Sequence, residues 1–236
     1  MLGLLAERKR LDTTSRQARR AKRQDMLERV KPESVKKIPV SPNPEQLKKD
    51  LVLLKDKAYA AGATDVTQIT SPDIVFLPGP LPGTTGPKLL ASANWPVRYF
   101  QDSLRQALDA FSHGILFRVR APMVYRDCGQ GPIPNPAHRS LYAKSFEIAS
   151  AVESAAFYMG HHLCLGFACG NCRAVFCHDR KRCQAMVKGR PCAHPYKARP
   201  SLYAVGIDAQ AMANNSGWNV SPENSGSLIT GLVMIA

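Results

Sequence analysis

The chain has no apolar run near the roughly 18 residues that a membrane-spanning helix needs, and its apolar start, MLGLL, is too short for a signal-peptide core. Aromatic residues are few, at 7%, and the 18 Asp and Glu are outnumbered by 32 Lys and Arg. The acidic residues are scattered, and no two are placed as paired carboxylates. There is no G-x-S-x-G, no HExxH and no phosphate loop. These absences exclude a membrane span and the familiar hydrolase and nucleotide-binding sites. They lead to the expectation that the chain carries no substrate chemistry alone.

The 236 residues, 44% of them hydrophobic, suffice for at least one buried core. The 18 prolines punctuate it heavily. The net charge of +14 is concentrated in two blocks. Residues 1–37 carry 12 basic and 5 acidic side chains, and residues 170–200 carry 8 basic and 1 acidic. The first block has too few large apolar residues to bury a face, so residues 1–43 are expected to form a basic extended or helical arm. Such an arm is a solvated tail, a partner-wrapping segment, or a binder of nucleic acid or anionic membrane. Five acidic residues count against a mitochondrial transit peptide.

Residues 44–236 are expected to form the compact domain. Asn43 and Pro44 are a helix start, Leu47, Leu51, Leu54 and Ala58 form one apolar stripe, and Gly62 is a stop. DVTQIT and DIVFL read as short strands, 78–88 as a Pro/Gly loop, and 97–111 as a helix. ILFRVRAPMV (115–124) reads as a half-exposed strand, 140–159 as the strongest helix, and LCLGFA as a strand. Asp208–Asn215 is a short helix closed by Gly217, and SLITGLVMIA is a final strand. The order implies an α+β fold: a small mixed or antiparallel sheet, helices on one face, and a cysteine-rich metal-binding loop.

Six of the seven cysteines fall between Cys164 and Cys192. The odd count and the absence of an export signal argue against a disulfide framework and for a reducing, cytoplasmic setting. The core pattern is Cys169-x2-Cys172-x4-Cys177-x5-Cys183-x8-Cys192. Thiolates at such density suit zinc or an iron–sulfur cluster. Unliganded buried cysteines are the plain alternative, and their crowding among Arg and Lys argues against it. No second C-x2-C is present, and His178 and His194 stand at unusual spacings for zinc. The stepwise spacing and the Pro191-Cys192 pair are closer to iron–sulfur usage. Cys164 reads as core, His161 and His162 as helix-end residues, and His138 and Cys128 as loop residues.

The string Cys169-Gly-Asn-Cys172, Cys183, Gly189-Arg-Pro-Cys192-Ala-His-Pro195, Ala198-Arg-Pro-Ser201, Gly206-Ile-Asp208 and Gly217 resembles a family of cysteine-rich predicted metal-binding proteins of unassigned function. AAGATDV and DIVF resemble that family's beginning, so the likeness covers about residues 45–75 and 140–236. It implies ligands at Cys169, Cys172, Cys183 and Cys192, with Cys177, brought by an insertion, as a spare or competing ligand. An earlier cysteine set of the family is reduced here to Cys128, which implies one metal site.

The resulting expectation is a protein with one [4Fe-4S] cluster, an electron-transfer or accessory subunit of an oxidoreductase complex. Arg173, Arg180, Lys181, Arg182 and Arg190 would raise the cluster's potential and dock an acidic carrier or subunit. The alternative is a zinc-stabilised basic interaction module that scaffolds a complex or holds nucleic acid. The shortage of aromatics beside the basic residues weighs against nucleic acid.

Overall fold

The structure is a computed structural model that describes residues 43–78, 108–120, 136–180, 183–185, 190–218 and 228–236. The arm expected over 1–43, apart from Asn43, lies outside the described residues. So do the 78–88 loop after its first residue, most of the 97–111 helix, and Cys128.

Helix α1 (Pro44–Ala60) starts where its capping residue predicts: Asn43 accepts the Glu45 amide at 3.0 Å, and Pro44 occupies the first turn. Leu47, Leu51, Leu54 and Ala58 are its buried stripe. The chain then leaves the helix through Gly62 at φ 104°, a left-handed conformation that glycine adopts without strain. It continues into β1 (Asp65–Thr70). Strand β2 (His113–Arg120), helix α2 (Pro136–Tyr158), β3 (Cys164–Phe167), the short α3 (Cys172–Phe176), α4 (Ala209–Asn215) and β4 (Leu228–Ile235) follow.

The four strands form one antiparallel sheet in the order β1-β2-β4-β3. Both β2 and β3 run antiparallel to β4, so they are parallel to each other, and α2 makes the crossover between them. The final segment of the chain therefore occupies a central position. That is why SLITGLVMIA is almost continuously apolar.

The sheet separates two cores. On one face Val66, Ile115, Phe117, Val119, Ile229, Val233 and Ile235 meet α1 and α2. On the other, Ile69, Leu116, Phe167, Leu232 and Met234 meet Leu202, Ile207 and Met212. The expected α+β class holds, with one correction: the second face is also covered, by the 202–207 segment and α4. The expected half-exposed 115–124 strand is corrected likewise. Its residues Ile115, Leu116, Phe117 and Val119 are all buried, because alternate side chains enter two different cores.

Two polar ties brace this frame. His161 Nε2 meets Asp50 Oδ2 at 2.9 Å with both side chains buried, and Gln46 donates to Asp50 Oδ1 at 2.7 Å. His161, expected only to interact with a helix end, thus joins the end of α2 to α1. Asp50→Ala is expected to lower unfolding free energy by about 1–3 kcal/mol, the usual cost of stranding a buried polar partner. Urea denaturation of the variant checks this.

The second tie is Arg118 Nε on Asp65 Oδ2 at 2.7 Å. The hydrogen-bonded Arg118 guanidinium holds the Asp65 carboxyl below its ordinary 3.8, against an opposing effect of burial. A carboxyl whose value is depressed by folding stabilises the fold fully above its unfolded value and loses that contribution as pH falls through the folded value. Asp65→Asn is therefore expected to flatten the fall of the urea midpoint between about pH 5 and pH 3. An unchanged slope would remove this pair from the acid response.

Candidate functional site

The site is assembled where the chain leaves β3. Ala168 pairs in parallel with Ser201: Ala168 N donates to Pro200 O at 3.0 Å and Leu202 N to Ala168 O at 3.2 Å. This clasp brings the two ends of the cysteine segment side by side. Gly170, at φ 83°, turns the chain out of the strand. Asn171 then caps α3, accepting the amides of Arg173 at 2.8 Å and Ala174 at 3.3 Å. The second cysteine of the C-x2-C step, Cys172, is thus the first residue of the helix. Cys169 is held by Ser145 of α2, whose hydroxyl accepts the Cys169 amide at 3.1 Å. Cys172 instead faces a pocket.

That pocket is lined by Cys172, Arg173, Phe176, Cys177, Cys183, Cys192, His194 and Ala198. Phe176 forms its floor: the ring meets the buried Phe146 of α2 edge-on at 5.2 Å and stacks on His194 at 5.5 Å. Cys192 is held by the backbone amide of His194, which donates to its sulfur at 3.4 Å. Cys177 follows the last turn of α3, with its amide on Arg173 O at 2.9 Å. Its neighbour Arg180 donates a backbone amide to Cys177 O at 3.0 Å. Cys172 is 5% exposed, whereas Cys177, Cys183 and Cys192 are half-buried.

Burial pushes the Cys172 thiol well above its ordinary range, reinforced by Cys192, Cys183 and Cys177. Burial also raises Cys177, with the Arg180 cation opposing. Cys164 lies apart on β3, donates to Glu153 O at 3.5 Å, and is pushed up to about 11 by burial. The pocket therefore gathers four of the five expected ligands and omits Cys169.

This arrangement overturns the metal expectation. Among the described residues, no group of three or more His, Cys, Asp or Glu is placed to hold a metal ion. Four of the expected thiols line one pocket, but no three of them are placed to share an ion. Neither the [4Fe-4S] cluster nor the alternative zinc fits the residues as placed, so the iron–sulfur and zinc-module functions built on them are withdrawn. None of the six described cysteines forms a disulfide.

A family model of predicted metal-binding proteins (DUF2284) matches residues 96–235, more than half of the chain. The chain belongs to that family. The match to DUF2284 spans the thiol pocket, β2, β3 and β4 but not the 45–75 stretch that was part of the resemblance. Within DUF2284 the chain is a cysteine-containing protein of unassigned function, and its described residues do not display the metal site of the family's description. No curated protein and no solved structure matches it.

The surroundings of the pocket are unevenly charged. Arg199 is paired with Glu153 and Arg173 donates to Arg180 O at 3.1 Å. Arg180, Arg190 and Lys197 are exposed and meet no carboxylate among the described residues. Lys181 and Arg182, also expected on this face, lie outside the described residues. Tyr196, next to Lys197 in the chain, is 86% exposed. Sequence reasoning missed the floor of the site, Phe176 with Phe146 and His194. The spacing of aromatics carries no sign that they would meet. No described helix is long and apolar enough to cross a membrane.

Proposed function

We propose that this chain is a docking subunit of a larger protein assembly, not catalytic alone, whose basic face beside the thiol pocket binds an acidic protein surface. The observation that carries the reading is that Arg180, Arg190 and Lys197 are exposed and meet no carboxylate among the described residues, with the exposed Tyr196 next to Lys197 in the chain. Arg199 beside the pocket and Arg118 on β2, by contrast, each have a carboxylate. Unpaired rim charges steer an oppositely charged partner and fix its register. The exposed Tyr196 supplies the kind of contact area typical of interface centres. The basic arm, residues 1–43, is assigned a second contact with the same assembly.

The test is cross-linking and co-purification of the full chain from native extract, at graded salt and with and without nuclease. The double variant R180E/R190E is expected to weaken capture of the same partner about tenfold or more, with an unchanged melting curve. Deleting residues 1–37 is expected to weaken capture while leaving the fold intact. Capture indifferent to charge reversal refutes the docking face, and capture abolished by nuclease transfers the surface to nucleic acid.

A further inference from the structure

We propose that the thiol pocket is a thiol–disulfide exchange site, in which a low-molecular-weight anionic disulfide is reduced and Cys177 and Cys192 become an internal disulfide. Four thiols line one pocket, and their placement leaves them outside any metal site among the described residues. The walls are otherwise mainly Phe176, Ala198 and the His194 ring, an apolar seat for a disulfide's carbon and sulfur atoms. Arg173 lines the same pocket, and Arg180 acts electrostatically on Cys177, which suits carboxylates on the entering molecule.

The pair follows from access and freedom of movement. Cys172 is the most buried of the four, at 5% exposed, and lies within α3. Cys177 follows the end of α3, and Cys192 lies in the irregular 190–198 segment. Neither is held in a helix or strand, so both can adjust to the Cα separation of about 4.4–6.8 Å that a disulfide requires. Among the thiols acting on Cys177, Cys192 acts most strongly.

In the exchange, one protein thiol loses its proton and attacks a sulfur of the small disulfide. The S–S bond breaks, a mixed disulfide forms, and the first small thiol leaves with that proton. The second protein thiol attacks the mixed disulfide and releases the other small thiol with its own proton. Two protein thiols are oxidised and one small disulfide is reduced to two thiols.

The experiment exposes the full-length, reduced chain to oxidised glutathione, quenches with an alkylating agent in denaturant so that buried thiols also react, and maps peptides by mass spectrometry. Of the seven cysteines, two should become resistant to alkylation, joined as Cys177–Cys192 and recovered by dithiothreitol. Cys192→Ser should instead trap glutathione on Cys177, and Cys183→Ser should leave the Cys177–Cys192 bond forming as before. Circular dichroism confirms that each variant is folded, and Cys177→Ser, which should trap glutathione on Cys192, serves if Cys192→Ser is not. Seven alkylatable thiols after exposure, or any other pairing, overturns the proposal. The docking face is tested separately by the glutamate substitutions, so failure of one reading is distinguishable from failure of the other.

Discussion

Gly231→Ala is expected to cost about 3 kcal/mol, the upper end of the overpacking range, and Gly231→Val to prevent folding. Gly231 lies in β4, directly opposite Phe117 of β2 in the antiparallel register. Phe117 is fully buried, and its ring lies over the glycine. A Cβ at 231 would collide with Phe117 Cζ and stand 2.8 Å from two further ring carbons. The ring cannot retreat, because it belongs to the core shared by α1, α2 and the sheet. Shortening the partner should relieve the clash, so Gly231→Ala with Phe117→Leu is expected to be less damaging than the two changes summed. A coupling of about 1–2 kcal/mol lies within the range for side chains in contact. Urea denaturation of the two singles and the double measures it, and strict additivity would show that the ring does not occupy the glycine's place.

The same strand shows how far the sequence could be read. SLITGLVMIA is plainly a strand from composition, but nothing in it says that the last strand pairs with both β2 and β3. Helices α1 and α2 are legible because each has an apolar stripe, a local periodic signal that packing then uses. Cover on the second face is not legible. It depends on Ile207 and Met212 returning from a stretch whose apolar residues keep no single helical or strand period. Asp50 with His161 is a further case: the two are 111 residues apart, and only the packing of α1 on the end of α2 brings them together.

The cysteines are the most instructive failure. A C-x2-C spacing sets the reach between two sulfurs, but it leaves open which way each sulfur points. Asn171 caps a helix that starts at Cys172, and of the two cysteines only Cys172 lines the pocket. The clustering of thiols was legible, therefore, and the purpose assigned to it was not. Of the basic residues expected beside the cluster, Arg180 and Arg190 are exposed, Arg173 donates to Arg180 O, and Lys181 and Arg182 lie outside the described residues.

Phe146→Ala should combine a large loss of stability with a change in the site itself. Phe146 is fully buried on α2, and removing such a ring costs about 3–5 kcal/mol. It is also the support beneath Phe176, which in turn stacks on His194 at the pocket wall. Without it, Phe176 can sink into the vacated space and water can reach Cys172. Burial is the main cause of that thiol's raised value, so hydration should move it back toward its ordinary 9.0 and increase the thiolate fraction at neutral pH. Alkylation of Cys172 is therefore expected to accelerate by about tenfold or more, under conditions where the variant remains folded. Ile148→Ala, on the same helix and buried in the same core, separates the two effects. It should lower stability by about 2–5 kcal/mol but leave the seat of Phe176 in place. If both variants accelerate alkylation equally, the gain follows global opening, and Phe146 has no local hold on the pocket.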